Sequence, residues 1–225
     1  DVTISPLVLD GRNARDLPSP TVNGDRVTFA RVRVTNRHTT ICFVIGSERY
    51  GRATGTVIEA IRIHDCGRLP PRNTEHGIYV AAADDTRIVG NEIHDNADRG
   101  IQLYPDAQRT VIEGNVIDGN GVGIIFSGDG GRTSDDTIVR HNLITNSRVR
   151  ADVESYYPAG TAPGERNLVG GNCIHGGKRG EMDARAGGFQ ARDNLIADPG
   201  YADRANGDFS VDRDSPCGKL LARGR

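Results

Sequence analysis

The sequence has no tryptophan and one methionine, and aromatic residues make up only 5% of its 225 residues. It also lacks a run of about 20 apolar residues, which excludes a helix that spans a membrane. Neither sign of charge predominates, because 28 basic and 30 acidic side chains give a formal net charge of −2. This balance argues against a nucleic-acid binder held by diffuse positive charge. We therefore expect a protein that binds neither a membrane nor nucleic acid.

Glycine is abundant, with 29 residues, and the chain carries an internal repeat. The repeat is marked by an Asn-x-Ile triplet whose last position recurs every 22 to 30 residues. The copies are Asn91-Glu-Ile93, Asn115-Val-Ile117, Asn142-Leu-Ile144, Asn172-Cys-Ile174 and Asn194-Leu-Ile196, preceded by the degenerate Ile61-Arg-Ile63 and Val32-Arg-Val34. Short β-branched alternations bounded by Gly, Asn and Asp indicate strands rather than helices. Each repeat therefore predicts one coil of three short strands, and about seven coils would stack at a spacing of roughly 4.8 Å.

This stacking predicts two ladders: the isoleucines of the triplets fill the interior, and the asparagines bond between coils. Together with the Gly-Ile-x-(Val/Leu/Phe) segments, the pattern resembles the right-handed parallel β-helix proteins of the pectate-lyase-like superfamily. The resemblance implies an all-β, single-stranded right-handed parallel β-helix, which we place at residues 26–213. We expect residues 1–25 to form a cap or leading partial coil, and residues 214–225 to form a tail that folds back on the helix.

The middle residues of the later triplets are apolar where outward-facing positions should be polar, so something should cover them. The nearest candidate is the C-terminal segment 217–221. We therefore predict a disulfide between Cys173 and Cys217, with Cys42 and Cys66, about one coil apart, as the second pair. Four cysteines allow three pairings, and four free thiols remain the alternative. The cysteines and the habits of the superfamily together favour a secreted or extracellular protein.

The superfamily most often places its substrate groove on the third strand of each coil. The segments aligned here are Gly77-Ile-Tyr79, Gly100-Ile-Gln102, Gly123-Ile-Ile125, Asp152-Val-Glu154, Glu181-Met-Asp183 and Asp208-Phe-Ser210. Basic groups, including His76 and Arg99, lie early in this stack, and carboxylates lie two to three coils later. The groove face would therefore carry opposite charges at its two ends.

The basic end suits β-elimination on a uronate, in which a base removes the proton α to the carboxylate while cations neutralise that carboxylate. The resemblance and this cluster together suggest a polysaccharide lyase that acts on an acidic glycan. We assign His76 or a neighbouring arginine as the base, Arg99 as the neutralising cation, and Tyr79 or Tyr104 as the donor to the leaving oxygen. The predicted substrate-binding residues are Arg68, Arg72, Gln102, Lys178 and Arg179.

Two other activities stay open. Glycoside hydrolysis needs two carboxylates flanking a bond, and Glu154 and Asp183 could supply them. The protein could also bind an acidic polysaccharide or oligosaccharide without turnover, or be a structural module. Glu154, Glu181 and Asp183 could hold Ca²⁺, which takes about six to eight oxygen ligands. Since the chain is short for a catalytic member of the superfamily, a homo-oligomer that completes the groove is a further hypothesis.

Overall fold

The computed structural model describes residues 1–11 and 17–222. The chain winds into a parallel β-solenoid of about seven coils, and each complete coil adds one strand to each of three sheets. We call these the first, second and third sheets, in the order in which a coil meets them. The architecture confirms the fold predicted from the repeat. No helix in the described ranges is long and apolar enough to cross a membrane.

Most strands are only three or four residues long, and the longest belong to the third sheet. The first sheet contains Val2–Ile4, Val27–Ala30, Val57–Glu59, Arg87–Val89, Val111–Glu113, Ile138–Arg140, Leu168–Gly170 and Gln190–Arg192. The second sheet contains Leu7–Asp10, Val32–Thr35, Arg62–His64, Glu92–His94, Val116–Asp118, Leu143–Thr145, Cys173–His175 and Leu195–Ile196. The third sheet contains Thr21–Val22, Phe43–Ile45, Ile78–Asp84, Arg99–Gln108, Val122–Asp129, Val153–Tyr156 and Met182–Asp183, with Ala53–Thr54 and Arg132–Thr133 paired at its side. A 3-10 helix, Arg204–Asn206, and an α-helix, Pro216–Leu221, follow.

The interior consists of apolar columns that run along the stack. Ile93 pairs in register with Ile63 on one side and Ile117 on the other, and all three side chains are fully buried. The predicted isoleucine ladder is therefore present. Its last rung, Ile196, is 51% exposed because the second sheet ends with that strand.

Asparagines link the coils as the sequence predicts. The Oδ1 atom of Asn142 accepts hydrogen bonds from both the backbone N–H and the side-chain Nδ2 of Asn115, each at 2.9 Å. The Oδ1 atom of Asn115 likewise accepts two hydrogen bonds from Asn91, and the Nδ2 atom of Asn115 donates to the Ile88 carbonyl at 2.8 Å. The column continues through Asn172 to the end of the stack. Each buried amide thus satisfies polar backbone groups at a coil corner.

A second, shorter asparagine ladder lies at the next corner and is not among the predicted features. Asn96 donates to Asn120 Oδ1 from its backbone N–H at 3.1 Å and from its Nδ2 at 2.8 Å. Gly100 lies beside this ladder, and a Cβ there would fall 2.9 Å from Asn120 Nδ2. The glycine of the Gly-Ile-x segment therefore leaves room for the amide of the neighbouring coil.

The C-terminal segment covers the outer face of the second sheet. Both predicted disulfides are present: Cys42–Cys66 and Cys173–Cys217. The second disulfide ties the helix Pro216–Leu221 to that sheet, where it packs against the apolar middle residues of the later triplets. Cover by the tail explains why those outward positions are apolar.

One of the six segments aligned with the third strands lies outside the third sheet. The alignment of Asp208-Phe-Ser210 with the third strands is wrong, because the third sheet ends at Met182–Asp183 among the described residues. Phe209 instead packs over the second sheet, its ring centroid 4.9 Å from that of His94. Arg204 anchors the same segment by donating to Asp118 at 2.5 Å. These contacts with another sheet place the segment in the covering tail.

Replacing Asn115 with alanine should lower the free energy of unfolding by roughly 3 kcal/mol or more, because several buried groups would each lose a partner. Asn194→Ala, at the half-buried end of the same ladder, should cost about 1 kcal/mol, since water can reach its partners. Urea unfolding followed by circular dichroism measures both values. Equal losses for the two variants would contradict the buried ladder.

Both disulfides predict a simple labelling result. Iodoacetamide added to the denatured, unreduced protein should leave its mass unchanged, because all four cysteines are paired. After reduction, the mass should rise by four carbamidomethyl groups, one for each cysteine. Labelling of any cysteine before reduction would show that the corresponding disulfide is not formed.

Candidate functional site

The outer face of the third sheet carries the predicted column of side chains in register. Tyr79 pairs with Gln102, Gln102 with Ile125, Ile125 with Glu154, and Glu154 with Asp183. Neighbouring members therefore lie about 4.8 Å apart along the stack. The sheet aligns residues that are up to a hundred positions apart in the chain into one continuous surface, which we call the groove face.

Aromatic rings cluster where this face begins. Tyr79 and Tyr104 stack with their ring centroids 6.3 Å apart, and the His76 ring meets Tyr79 edge to face at 5.6 Å. Arg99 lies in the next coil, since the N–H of Gly77 donates to the Arg99 carbonyl at 2.9 Å. The structure thus brings the four predicted catalytic residues into one neighbourhood.

Within this cluster, the His76 side chain is buried and only 2% exposed. Burial, and secondly the charge of Arg99, hold the pKa of the His76 imidazole well below its usual 6.5. Its Nδ1 atom and the nearby Oε1 of Gln102 are buried without a hydrogen-bond partner among the described residues. The ring is therefore neutral at neutral pH and can accept a proton.

Burial also raises the pKa of the Tyr79 hydroxyl, with the neighbouring Tyr104 as a smaller cause. The pKa of Tyr104 is raised as well, first by burial and then by its hydrogen bond to Asp129, at 3.0 Å. Both phenols therefore keep their protons at neutral pH and can act as donors.

The turn 67–75 forms one wall of the site, and Asp98 holds it in place. The Asp98 carboxylate accepts hydrogen bonds from three consecutive backbone N–H groups, those of Asn73, Thr74 and Glu75, at 2.7 to 2.8 Å. Within the turn, Arg68 donates from its backbone N–H and its Nε to the buried Glu75 carboxylate. This pairing makes Arg68 part of the wall, while Arg72 is exposed on it.

Arg99 is 5% exposed and faces this wall. One Nη donates to the Asn73 carbonyl, but its Nε finds no partner within the described ranges. Burial, and secondly the charge of Arg150, lower the pKa of Arg99 to about 10. The guanidinium thus stays charged at neutral pH although its surroundings disfavour the charge.

Arg150 reaches the same place from a coil far along the chain and is not among the predicted site residues. Its Nη2 donates to the side-chain oxygen of Asn73 at 3.1 Å and pairs with Glu154 at 2.8 Å. Its Nε atom is buried and, like that of Arg99, has no partner in the described part of the chain. The groove face therefore holds two adjacent guanidinium groups with spare donors.

The predicted carboxylates lie along the later coils in two different states. Burial raises the pKa of Glu154, which is 6% exposed, although Arg150 acts against this shift. Hydrogen bonds from Arg185 lower the pKa of Asp183 to about 2. Glu181 lies in the coil of Asp183, beside the buried Asp152. In this row, Glu154 therefore ionises less readily than a free glutamate, whereas Asp183 is ionised at neutral pH.

These carboxylates do not converge on one point. Within the described ranges, no group of three or more His, Cys, Asp or Glu side chains is arranged to hold a metal ion. Oxygens of Glu154 and Asp183 already accept hydrogen bonds from arginines. A calcium ion at Glu154, Glu181 and Asp183 would have to displace these arginines, and it stays a prediction.

The remaining predicted cations, Lys178 and Arg179, lie apart from the His76 cluster. Both are exposed in the turn that enters the last third-sheet strand, where their backbone N–H groups bond to Ser147 and Arg150. They flank the carboxylate end of the groove face.

A cavity of about 760 Å³ lies on a different face, between the second sheet and the C-terminal segment. Its charged lining includes Arg62 and Glu92, which form an ion pair with each other. The cleft beside Arg99 is only about 20 Å³. We nevertheless place the candidate site on the third sheet, because the buried histidine and the arginines with unused hydrogen-bonding atoms lie there.

Sequence reasoning missed Asp98, Arg150 and Asn73. Asp98 carried a usable signal, since it directly precedes Arg99 and follows Asn73 by 25 residues, about one coil. The contact of Arg150 with Asn73 joins positions 77 residues apart and depends on how two turns lean toward each other. No repeat pattern encodes that contact.

A comparison with curated protein sequences finds no match. In the solved structures, the Dettilon tailspike protein gp208 is similar with a TM-score of 0.54 and 16% identity, over 83% of this chain and 36% of that chain. A mutant tailspike protein of E. coli bacteriophage HK620 in complex with a pentasaccharide gives a TM-score of 0.54 and 11% identity, over 76% of this chain and 33% of that chain. This chain spans about a third of each tailspike.

A third similar structure is the A-module of the mannuronan C-5 epimerase AlgE6 of Azotobacter vinelandii. It gives a TM-score of 0.50 and 19% identity, over 85% of this chain and 57% of that chain. At these identities, the three structures establish similarity of fold alone. The sequence pattern described as a right-handed β-helix region matches residues 21–177, which is more than half of the chain. The chain therefore belongs to the right-handed β-helix family.

Proposed function

We propose that this protein is a polysaccharide lyase that cleaves a uronate-containing glycan by β-elimination on the groove face. The observation that carries the proposal is the buried Arg99, whose Nε lacks a partner among the described residues, beside a neutral His76. Burying a cation without full pairing is costly, and the carboxylate of a ligand would offset that cost. Fold neighbours named for mannuronan and solved with a pentasaccharide support a glycan as the ligand.

In this reaction, the base removes the proton from the carbon α to the carboxylate. The C–O bond at the β carbon breaks, a double bond forms between the two carbons, and the leaving oxygen takes up a proton. Negative charge moves onto the substrate carboxylate as the proton leaves, so fixed positive groups beside it contribute most of the stabilisation. Arg99 provides this charge, and Arg150 provides a second guanidinium next to it.

His76 is the proposed base because its low pKa keeps it unprotonated at neutral pH. Tyr79 and Tyr104 are the proposed proton donors, since the raised pKa values of both phenols keep them protonated. The ring centroid of Tyr79 lies 5.6 Å from that of His76 and 6.3 Å from that of Tyr104, so the base and a donor can act on one sugar. Proton exchange with water then returns each group to its starting state.

Glycoside hydrolysis is the second candidate, and one observation favours it. Glu154 and Asp183 are paired on neighbouring strands, yet their pKa values are displaced in opposite directions. A carboxyl group that resists ionisation next to an ionised one is the arrangement of a general acid and its partner. Their arginine partners argue against this role, because each occupies an oxygen that the reaction would need.

The proposal is compatible with a protein that works outside the cytoplasm. Two disulfides are stable in oxidising compartments and rare in the cytosol. A secreted location would bring the protein into contact with extracellular glycans. We propose this location as part of the function.

Lyase activity should depend on the basic end of the groove. His76→Ala should lower kcat by about 10²–10⁴-fold through loss of the base, and Arg99→Ala by about 10²–10³-fold through loss of charge stabilisation. The exposed Arg87→Ala on the first sheet, which removes the same charge from another face, should retain full activity. The readout is the ultraviolet absorbance of unsaturated uronate over a panel of acidic glycans. Release of sugar without this absorbance, lost in Glu154→Gln, would replace the lyase by a hydrolase.

The pH profile should report the buried histidine. Since burial and Arg99 lower the pKa of His76, the base is lost by protonation only at lower pH, and the acid limb of kcat/KM should lie below pH 6.5. In Arg99→Gln, the residual activity should show this limb shifted to higher pH, because the cation no longer opposes protonation. An acid limb that does not move in Arg99→Gln would exclude His76 as the titrating base.

A further inference from the structure

Two guanidinium groups, those of Arg99 and Arg150, lie next to each other beside the turn 67–75, although like charges repel. The charge of Arg150 is the second cause, after burial, of the lowered pKa of Arg99, which is about 10. Asp98 and Glu154 act in the opposite direction, but the pKa of Arg99 stays lowered in their presence. The fold therefore needs a further group that keeps the two cations adjacent.

Asn73 bonds to both guanidinium groups through two different oxygens. Its backbone carbonyl accepts a hydrogen bond from an Nη of Arg99, and its side-chain Oδ1 accepts one from Nη2 of Arg150 at 3.1 Å. A carboxylate would offer two oxygens to the same pair of cations, but it would also bring a full negative charge. Asn73 thus joins the two cations without neutralising either of them.

The backbone fixes the position of Asn73 and restricts which residue can replace it. Its φ angle of 71° lies in the left-handed region, where glycine, asparagine and aspartate are the favoured residues. The carboxylate of Asp98 holds the turn there by accepting the N–H of Asn73 at 2.8 Å and those of the next two residues. Among the three favoured residues, only asparagine supplies a side-chain oxygen without a negative charge.

The bridge leaves donors of both arginines unused. The contacts with Asn73 engage Nη atoms, and the Nε atoms of Arg99 and Arg150 have no partner in the described part of the chain. Asn73 and both arginines line the cleft of about 20 Å³, which has room for about one water-sized group. A single anionic group at this cleft would therefore lie close to two cations that no carboxylate fully compensates.

We infer that Asn73 is a positioning residue for substrate binding, a neutral bridge that holds Arg99 and Arg150 together and leaves their charge for the carboxylate of a uronate. The inference rests on the proposed function for the identity of this carboxylate. It extends that function by adding a residue that sets the affinity for the anion. Asn73 acts through the two arginines and does not need to touch the reacting atoms.

Asn73→Asp distinguishes this role from a structural one. Aspartate keeps the shape and the backbone preference and pairs more strongly with both arginines, so the midpoint of thermal unfolding should stay the same or rise. The added charge competes with the substrate carboxylate, so binding should weaken about tenfold or more. The probes are hexasaccharides of polygalacturonate, polymannuronate and hyaluronan, measured by calorimetry, and the variants are compared on the probe that the wild-type protein binds most tightly.

Ala60→Asp is the matched control for the added charge. Ala60 is exposed and also has a left-handed backbone, but it lies between a first-sheet and a second-sheet strand, away from the groove face. Binding by this variant should equal that of the wild-type protein. Binding by Asn73→Asp that is equal to wild type, or tighter, would overturn the inference, as would the absence of binding to every probe.

Asn73→Gly tests the contact with Arg150 alone. Glycine keeps the left-handed backbone and the carbonyl that bonds to Arg99, but it removes the Oδ1 atom, so binding should weaken about three- to tenfold. In Arg150→Gln, which is itself weakened, the additional change Asn73→Gly should have no further effect, because its effect passes through Arg150. Losses that simply add in the double variant would contradict the bridge.

Turnover then distinguishes this inference from the proposed function. If a probe binds and the variants rank as expected, but no unsaturated product forms, the lyase proposal fails and the bridge stands. If the wild-type protein forms unsaturated product but kcat/KM is unchanged in Asn73→Asp, the lyase stands and the bridge is wrong.

Discussion

The register between neighbouring coils is the constraint on which the rest of the structure depends. Every coil pairs its three short strands with those of the next coil, and the asparagine ladder fixes the alignment by bonding side chain to side chain and side chain to backbone. A slip of one residue would turn Ile117 outward and leave Asn115 without its partners. Such a slip would lose burial and hydrogen bonds at the same time, so the register is fixed. Side chains on the outer face are therefore held at fixed positions relative to one another, as a functional site requires.

That outer face is where the coils are free to differ. Inward positions repeat the same aliphatic residues, whereas the paired outward positions of the third sheet change from Tyr79 through Ile125 to Asp183. Each coil thus contributes one outward side chain that can differ from those of its neighbours. The distance between consecutive side chains is close to the length of one sugar in a polymer. A charge gradient along the groove therefore requires no change of fold, only substitutions at one position in each coil.

The sequence predicted what the repeat encodes and missed what lies between repeats. Ladder residues such as Asn142, the pairing of Cys42 with Cys66 and the column from Tyr79 to Asp183 all follow from counting residues per coil. The contact between Arg150 and Asn73 joins two turns of unequal length, so periodicity carries no information about it. The alignment of Asp208-Phe-Ser210 was wrong for a related reason, because the repeat pattern does not say where the stack ends. These three residues resemble a third strand but come after the last strand of the third sheet.

The middle coils are where costly side-chain states can best be tolerated. Arg99 lowers the pKa of its own neighbour His76, and both hold buried polar atoms without partners in the described residues, which opposes folding. Both lie where coils cover them on each side, and where the shorter asparagine ladder through Asn96 runs beside the longer one through Asn91. The terminal coils, with Ile196 half exposed, could not offset the same penalty. A site whose groups must stay unsatisfied until a ligand arrives is therefore expected in the centre of the stack, and His76 and Arg99 lie there.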